Sequence, residues 1–483
     1  MQLRTIQRIL GLLLMLFSLT MLPPVAVAWW YQDGALISFL LGFALIFVAG
    51  FLFWAPVHRF RRELRMRDGF VVVTMFWTVL GMTGAVPFML AKHPHMTFTN
   101  AVFESVSGLT TTGATALTGL DVLPHAILYY RAQLQWLGGM GIIVLAVAIL
   151  PMLGVGGMQL YRAETPGPMK DAKLTPRITE TAKALWYIYL GLTVACALAY
   201  WLAGMSPFDA IAHSFDTLST GGFSTHDLSM GYFHSPLIEM IAVVFMVLAG
   251  ANFSLHFMAW RAMSLRPYTV DSEVKAYLII LASVAAITAG YLYGAGAYAS
   301  LGNAVHNGIF QVVSFATSTG FTTGTYDKWP GFLPILLLFT SFVGGCAAST
   351  AGGIKTIRFL LLLKQGTREI KRLIHPNGQF LVKINGKALP DRVVESVWGF
   401  FAMYVAVFII MLLILMFTGL DQVTAFSAVV ACMNNLGPGL GKVSSNFASL
   451  NDVAKWTLSL AMIMGRLEIF TLLVLFTPTF WRR

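Results

Sequence analysis

Long runs of apolar residues recur from one end of the chain to the other, and short polar segments separate them. Runs with enough apolar residues to cross a bilayer as a helix include 6–29, 35–54, 184–203 and 400–417. The basic residues Arg4 and Arg8 lie at the start of the first run, as in a secretory signal, but the run is long for a signal and a second apolar run begins at once. The pattern therefore predicts a retained N-terminal membrane helix in an all-α, polytopic membrane protein.

A fourfold internal repeat lies within this pattern. Each unit has a spanning helix, a short amphipathic segment, a loop rich in small and polar residues, and a second spanning helix. The loops read Ser-Gly-Leu-Thr-Thr-Thr-Gly-Ala-Thr (107–115), Leu-Ser-Thr-Gly-Gly-Phe-Ser-Thr (218–225), Ala-Thr-Ser-Thr-Gly-Phe-Thr-Thr (316–323) and Met-Asn-Asn-Leu-Gly-Pro-Gly (433–439). One glycine of each loop aligns the units, and these anchor glycines are Gly113, Gly222, Gly320 and Gly437.

The alignment also holds at positions away from the anchor glycines. Three of the four residues that lie sixteen positions before them are good helix N-caps, the set being Thr97, Ser206, Ala304 and Asp421. Ala304 breaks the rule, so we expect the short helix of the third unit to begin differently, near Asn303. The residues twelve positions before the anchors are all small, as close helix packing requires: Ala101, Ala210, Gly308 and Ala425.

The short segments predict pore helices, which enter the membrane without crossing it. A helix of about twelve residues is about 18 Å long, too short to span the bilayer. Non-helical backbone at this depth is tolerated only inside protein or beside water. We therefore expect four tandem helix–pore helix–filter loop–helix repeats around one pseudo-fourfold pore, plus two N-terminal transmembrane helices. The predicted units are 1–67 for the N-terminal pair and 68–165, 166–266, 267–385 and 386–483 for the four repeats.

Basic residues cluster in segments that alternate along the chain with the filter loops. The net charge is +11, although only 11% of residues are charged and 57% are hydrophobic. The positive-inside rule explains the clusters, because it places basic loops in the cytoplasm and therefore the filter loops on the outer side. No nucleic-acid partner is needed to account for the charge, and we expect none.

The residues before the anchor glycines are suited to hold a dehydrated cation. Backbone carbonyls supply oxygen ligands without a fixed charge strong enough to trap the ion. Glycine adopts the backbone angles that turn successive carbonyls inward, and threonine adds a hydroxyl at the rim. The carbonyls predicted to coordinate the ion belong to the two residues before each anchor: Thr111, Thr112, Thr220, Gly221, Ser318, Thr319, Asn435 and Leu436.

Small residues interrupt the apolar span that follows the third filter loop, and only the third repeat carries such an insertion. Glycine in such numbers breaks a helix, and a broken helix at membrane depth lines a cavity. The segment therefore predicts an intramembrane gate loop below the filter; the alternative is a seam where helices pack closely. The predicted gate loop is Gly345, Cys346, Ala347, Ala348, Ser349, Thr350, Ala351, Gly352 and Gly353.

Charged residues inside the apolar segments are further candidates. Arg466 lies in the last apolar span, with Glu468 two residues on, and a charge at this depth normally faces a cavity or a partner. Arg466 therefore either faces the pore or forms a buried ion pair that holds helices together. Glu104 and Asp216 lie in pore helices, where hydrogen bonds that anchor the filter from behind are favoured over an ion-attracting mouth.

Four stretches carry a resemblance to a known family: SGLTTTGAT (107–115), QWLGGMGIIVLAVAILPMLGVGGMQLYRAE (135–164), NNLGPGLG (434–441) and GRLEIFTLLVLFTPTFWR (465–482). Over essentially its whole length the chain resembles the superfamily of potassium transporters built from tandem potassium-channel-like units, and within it the membrane subunits of the bacterial Trk uptake system. The resemblance implies two extra N-terminal helices, matching 6–54. It also implies preference for potassium, because plant relatives with serine at the first anchor tend to pass sodium whereas Gly113 stands here.

The resemblance implies a function and a set of partners as well. Potassium would be the substrate, taken up across the bacterial inner membrane with the filter on the periplasmic side, and Arg466 would be a cationic barrier beside the gate loop. Relatives are homodimers, with one pore per protomer, that bind a cytosolic TrkA-like ring of regulatory subunits binding NAD(H) or ATP/ADP. Membrane lipid is the remaining expected contact.

Three function classes follow from these observations. A passive permease gated by a cytosolic partner is favoured, and a potassium–proton symporter is the alternative. An enzyme is not expected, because no polar constellation for catalysis occurs. The chain has no GxGxxG after a strand and no Walker motif, so we expect no bound nucleotide in it and control through a partner docked on the basic segments 364–392 and 160–183.

Overall fold

The computed structural model of the protein describes residues 2–60, 65–141 and 178–482. The boundary predicted at 165/166, residues 160–177 of the basic segment 160–183 and most of the stretch 135–164 lie outside the described residues. Helices numbered α1 to α21 in chain order account for most of the rest: Leu3–Leu19, Leu22–Tyr31, Leu36–Trp54, Met66–Thr83, Val86–Leu90, Phe98–Leu109, His125–Trp136, Ile178–Leu202, Pro207–Leu218, Pro236–Gly250, Phe253–Ala262, Arg266–Val270, Ser272–Gly294, Leu301–Ala316, Leu333–Val343, Thr356–Ile374, Asp391–Phe417, Gln422–Met433, Asp452–Arg466, Phe470–Leu473 and Pro478–Trp481.

Short elements complete the described chain. Strands β1 (Lys383–Ile384) and β2 (Lys387–Ala388) form an antiparallel hairpin in which Lys383 lies opposite Ala388. A π-helical turn, Leu137–Gly141, follows α7. The 3₁₀ turns are Ala55–Val57, Leu120–Val122, Ser229–Phe233, Tyr326–Lys328, Gly441–Val443 and Val474–Phe476.

Six helical stretches in the described part of the chain are long and apolar enough to cross a membrane. They are Leu3–Tyr31, Leu36–Val57, Arg67–Leu90, Lys183–Leu202, Ser272–Gly294 and Asp391–Phe417. Two bent pairs raise the number to eight if each pair is one span. The prediction of an all-α polytopic membrane protein is therefore confirmed.

The N-terminal helices pack together through glycine. A Cβ at Gly11 of α1 would lie 2.7 Å from the backbone nitrogen of Trp54, and one at Gly50 of α3 would lie 2.9 Å from the Gly11 carbonyl oxygen. Only glycine lets the two backbones approach this closely, as in membrane helix pairs that associate through small residues. The pair α1 and α3 is thus a closely packed unit at the start of the chain.

Four short helices, α6, α9, α14 and α18, occupy the predicted pore-helix positions, and we keep that name for them. Thr97, Ser206 and Asp421 cap three of them as predicted, each accepting a hydrogen bond from a backbone N–H three residues on. The third begins at Leu301, two residues before Asn303, because Ser300 supplies the cap by accepting from the Asn303 N–H at 3.2 Å. It is therefore one turn longer at its start than its equivalents.

The helix that follows the filter loop is broken in the second, third and fourth repeats, and in the first it loses regular α-helical geometry at the end of the described stretch. The predicted gate loop separates α15 from α16, and α7 passes into the π-helical turn Leu137–Gly141. Helix α10 meets α11 at 96°, and α19 meets the segment that contains α20 at 107°. Among the described residues, the long insertion of small residues predicted for the third repeat occurs in that repeat alone. The breaks in the second and fourth repeats rest on two and three residues, too few to give a composition signal.

Candidate functional site

The four pore helices end in the same backbone motif. The residue two positions before each anchor glycine has a left-handed backbone, with φ of 55° at Thr111, 52° at Thr220, 54° at Ser318 and 52° at Asn435. The next N–H donates to the carbonyl five residues back, at 2.9 Å for Thr112, 2.9 Å for Gly221, 2.8 Å for Thr319 and 2.7 Å for Leu436. This pair of features is the Schellman motif, in which glycine usually takes the left-handed position. Non-glycine residues there cost about 1–2 kcal/mol each, so the conformation is enforced by its surroundings.

The anchor glycines meet one another in a closed ring. Their φ values are 81°, 75°, 82° and 96° in chain order, a region that favours glycine. A Cβ on an anchor would collide with the carbonyl oxygen before the anchor of the next repeat: Gly113 with Gly221, Gly222 with Thr319, Gly320 with Leu436, and Gly437 with Thr112. The contacts run from repeat one to four and back to one, so the four loops surround a common point.

Seven of the eight predicted ion-coordinating carbonyls accept no hydrogen bond from any described residue. The eighth, on Gly221, accepts one from the Gln135 amide at 2.8 Å. All eight residues are buried. Because more than about nine in ten buried carbonyls in proteins are paired, this concentration of unpaired oxygens requires a different partner. A dehydrated cation held by carbonyl oxygens is a partner of that kind.

Side chains of the filter loops are occupied in bonds to their neighbours. The Thr112 hydroxyl lies 2.7 Å from that of Thr110 and accepts from the Asn435 amide at 2.9 Å. The Thr319 hydroxyl pairs in the same way with Thr317, at 2.7 Å. The oxygens left for a ligand are therefore backbone carbonyls, and none carries a formal charge.

An open cavity of about 530 Å³ lies on one side of the ring, and all four anchor glycines line it. Its wall carries charges of both signs, including Arg131, Asp227, Asp327 and Lys328. This mixture does not form a ring of carboxylates.

The gate loop lies against the opposite side of the filter. The Gly352 N–H donates to the Ser318 hydroxyl at 2.5 Å, and the Gly353 N–H donates to the Asn434 carbonyl at 3.1 Å. A Cβ at Gly352 would collide with the same Asn434 carbonyl oxygen. The loop is therefore in direct contact with the third and fourth filter loops, and its glycines permit that approach.

The break between α10 and α11 holds the gate loop at its other edge. The Cys346 N–H donates to the Gly250 carbonyl at 2.8 Å, and the Phe253 N–H donates to the Ala348 carbonyl at 3.1 Å. Ala348 has a φ of 55°, so the loop turns sharply there. These bonds use backbone groups that the interrupted helix leaves unpaired, which explains how both breaks persist at membrane depth.

Arg466 ends helix α19 between the gate loop and the first filter loop. Its guanidinium donates to the Thr350 carbonyl at 3.1 Å and to the Thr111 hydroxyl at 3.3 Å. It also donates to the carbonyls of Gly138 at 2.7 Å and Gly139 at 2.5 Å in the π-helical turn. Glu468, two residues on, instead pairs with Arg358 of α16. The structure thus brings Arg466 together with the predicted gate and filter residues.

The sequence profile of the TrkH family, described as a cation transport protein, matches residues 36–483. The chain belongs to the TrkH family. It is 57% identical over 484 residues to the Trk system potassium uptake protein TrkH of Vibrio parahaemolyticus and 56% identical over 482 residues to the protein of that name from Escherichia coli K12, covering 100% of both chains in each case. The crystal structure of the potassium transporter TrkH from Vibrio parahaemolyticus matches with a TM-score of 0.91 at 54% identity, again over 100% of each chain. TrkH is a family of transport proteins rather than enzymes.

Two residues behind the TrkH filter carry contacts that sequence reasoning missed. Arg131 pairs with Glu104 at 2.7 Å, donates to the Ser224 carbonyl at 2.9 Å, and lies 4.1 Å from the ring centre of Phe223. The Gln135 amide donates to the Gly221 carbonyl and accepts from the Phe223 N–H at 3.1 Å. Both lie in α7, where their spacing does not distinguish them from ordinary helix residues.

The two pore-helix carboxylates differ from each other. Glu104 accepts from the Ala116 N–H at 2.8 Å as well as from Arg131, so it anchors the filter from behind, the arrangement that was favoured. Asp216 is buried, yet neither carboxylate oxygen has a hydrogen-bond partner among the described residues. The expected anchoring hydrogen bonds are therefore not formed by the Asp216 carboxylate within the described residues.

A cluster around His226 joins the outer ends of the first two filter loops. The imidazole Nδ1 lies 2.6 Å from Asp121 and the Nε2 lies 3.4 Å from Asp209. Burial lowers the pKa of His226, but its interactions with the carboxylates of Asp209 and Asp121 outweigh burial and raise that pKa above its usual value. Burial likewise raises the pKa of Asp121, and the bond to His226 more than reverses this. The cluster therefore favours a protonated histidine between ionised carboxylates.

Proposed function

We propose that the chain conducts potassium ions across the bacterial inner membrane through one pore formed by its four filter loops. The single observation that carries this proposal is the set of seven buried carbonyls without a donor, gathered by the ring of anchor glycines. Two curated relatives that match over their whole length carry the name potassium uptake protein. The transported ion is thus the substrate, and no resident cofactor is invoked.

The chemistry of the ring fits a monovalent cation that must leave again. Neutral carbonyl oxygens replace the hydration shell without binding the ion as tightly as a carboxylate ring would. The pore helices end at the ring, and the negative end of each helix dipole favours a cation there. Equal backbone geometry at Thr111, Thr220, Ser318 and Asn435 supports a pseudo-fourfold filter made by four tandem repeats. We keep the repeat bounds 68–165, 166–266, 267–385 and 386–483, after two N-terminal helices in 1–67.

The gate loop and Arg466 together form the proposed barrier to conduction. The loop is bonded to filter residues Ser318 and Asn434, so an ion leaving the filter on that side meets it. Arg466 adds a positive charge bonded to the loop at Thr350. A cation approaching this layer is opposed by sterics and by charge, and conduction requires the loop to move.

Control of the gate is proposed to come from outside this chain. A cytosolic TrkA-like ring that binds NAD(H) or ATP/ADP would dock on the basic segment 364–392, part of which surrounds a cavity of about 450 Å³ lined by Lys364, Arg368, Lys371 and Lys383. The second proposed docking segment, 160–183, lies largely outside the described residues. We further propose a homodimer with one pore per protomer, in contact with membrane lipid, with the basic face cytoplasmic and the filter cavity periplasmic.

Flux through the purified protein in liposomes tests the proposal. We expect potassium and rubidium to pass and sodium and lithium to be excluded, because the ring of carbonyls replaces the hydration shell of the larger ions. Equal sodium flux would refute the filter assignment. A reversal potential that follows the potassium gradient alone supports a permease, whereas a shift with pH at a fixed potassium gradient would favour the potassium–proton symporter.

A further inference from the structure

Glu273 is a buried carboxylate that neither the sequence patterns nor the filter geometry accounts for. It is the second residue of α13, where a carboxylate near the helix start is ordinary, and its side chain is only 6% exposed. One oxygen, Oε1, accepts from the N–H of Ala347 at 2.6 Å and from that of Ile357 at 3.1 Å. Ala347 lies in the gate loop and Ile357 in the first turn of α16, so this oxygen binds both ends of the insertion.

The first contact fixes the gate loop from the side opposite the filter. Ala347 lies between Cys346, whose N–H donates to the Gly250 carbonyl, and Ala348, whose carbonyl accepts from the Phe253 N–H. Those two bonds tie the loop to the second repeat. The bond to Glu273 ties it to the first helix of its own repeat, and a charge-assisted bond of this kind is about twice as strong as a neutral one.

The second contact serves as a helix cap. Helix α16 begins at Thr356, and Lys355 in the N-cap position makes no capping hydrogen bond through its side chain. The N–H groups of a first helical turn need acceptors, and they favour negative charge. Glu273, which lies on a different helix, supplies one for Ile357. The start of α16 and the gate loop therefore depend on the same oxygen atom.

We infer that Glu273 is the residue that holds the gate loop closed, a role we call the latch. This inference rests on the proposed role of residues 345–353 as the gate. Opening the loop moves the Ala347 N–H away and leaves the carboxylate buried with one donor fewer, which is costly in a dry environment. The closed arrangement is thereby favoured, and any partner that moves α16 acts on the latch directly.

Other charged groups near the latch have their own bonds. Asp271 caps α13 by accepting from the N–H groups of Glu273 and Val274, and it accepts from the Asn385 amide at 3.0 Å. Lys355 donates to the Ala351 carbonyl, and Arg358 pairs with Glu468. Glu273 is the residue among these whose carboxylate binds the loop backbone itself.

Potassium flux of the full-length chain in liposomes, without the regulatory partner, tests the latch. Loss of a hydrogen bond to a charged group shifts an equilibrium by about ten-fold or more, so Glu273→Ala should raise flux by about ten-fold. Glu273→Gln should raise flux much less than Glu273→Ala, because its amide oxygen can still accept the same two N–H groups, although without the charge. Glu395→Ala is the matched control, since Glu395 is exposed at the start of α17. Glu273→Asp, one methylene shorter but still charged, should give an intermediate increase and serves if the alanine variant does not fold.

A variant with residues 346–351 replaced by glycines separates the latch from the gate. It should conduct at least as well as Glu273→Ala, and combining the two changes should add nothing further. If the glycine variant gains flux while Glu273→Ala and Glu273→Asp do not, the latch is wrong and the gate stands. If the glycine variant gains no flux, the gate proposal fails and the latch fails with it. Equal gains from Glu273→Gln and Glu273→Ala would also overturn the latch, since hydrogen-bond acceptance would not be the cause.

Discussion

The filter layer and the layer that contains the gate loop are formed by the same four repeats, but the filter layer is nearly symmetric and the other layer is not. In the filter, four loops of different sequence adopt one backbone conformation, with left-handed residues at Thr111, Thr220, Ser318 and Asn435. Below it, the four following helices differ: one passes into a π-helical turn, two bend sharply at short breaks, and one is divided by the nine-residue gate loop. A cation requires equivalent ligands on all sides, whereas a barrier needs only one obstruction. Symmetry is therefore kept at the proposed ion-binding layer and abandoned at the layer where we propose that passage is controlled.

Substitution of an anchor glycine should break the filter layer and gives the largest expected effect. In Gly222→Ala the new Cβ would collide with the Thr319 carbonyl oxygen, and φ there is 75°. Left-handed strain and overpacking together should lower potassium flux in liposomes by about a hundred-fold and abolish preference over sodium. The same change at Gly320 should have the same effect, because Gly320 meets Leu436 in the equivalent way.

Gly191→Ala is the matched control for that prediction, because a Cβ at Gly191 would meet no atom within 4 Å. It should conduct and select as the unmodified protein does. An unaltered selectivity in Gly222→Ala would show that the loops do not form an equivalent ring.

Removal of the positive charge of Arg466 should show that the four repeats do not contribute equally to the proposed barrier below the filter. Arg466→Ala eliminates the bonds to Thr350 and Thr111 and the positive charge on the proposed ion path. Potassium flux should rise by about ten-fold, since like charges near a partly dry path repel by more than 1 kcal/mol. Arg372→Ala, at an exposed arginine that pairs with Glu369, should leave flux unchanged. An unchanged flux in stably inserted Arg466→Ala protein would contradict the barrier.

The smallest expected effect concerns the link between the first two repeats on the outer side. A raised pKa of His226 means that protonation stabilises the fold; this stabilisation is complete below pH 6.5 and is lost as pH rises through the folded-state pKa. The pKa of Asp121 is lowered, so the stability that its ionised carboxylate contributes is lost only as pH falls through that pKa. His226→Gln should lower thermal stability in detergent by about 1 kcal/mol at mildly acidic pH and by less at alkaline pH.

His234→Gln, at an exposed histidine of the same cavity, should show no such pH dependence. A stability difference between His226→Gln and the unmodified protein that stays constant from pH 5 to 8.5 would exclude the ionised cluster.

Capping residues and glycine content gave many of the predictions from the sequence that the structure can be compared with. N-cap residues located the starts of three of the four pore helices. The pore helix of the third repeat begins two residues before the predicted start, because Ser300 was not recognised as its cap. Glycine content revealed the gate insertion but not the breaks after Gly250 and Arg466, where no run of glycine or proline marks the interruption. Polar residues behind the filter, such as Arg131 and Gln135, gave no spacing that distinguished them from ordinary helix residues.

The sequence by itself determined the membrane class, the fourfold repeat and the identity of the anchor glycines, because hydropathy, capping and backbone freedom are properties of short segments. Only the tertiary structure decided which oxygens lack donors, since a carbonyl is unpaired only with respect to everything packed around it. It also decided that Arg466 binds Thr350 while Glu468 binds Arg358, although the two charges are neighbours in the chain. The same holds for Glu273, whose partners lie 74 and 84 residues away and are set by packing.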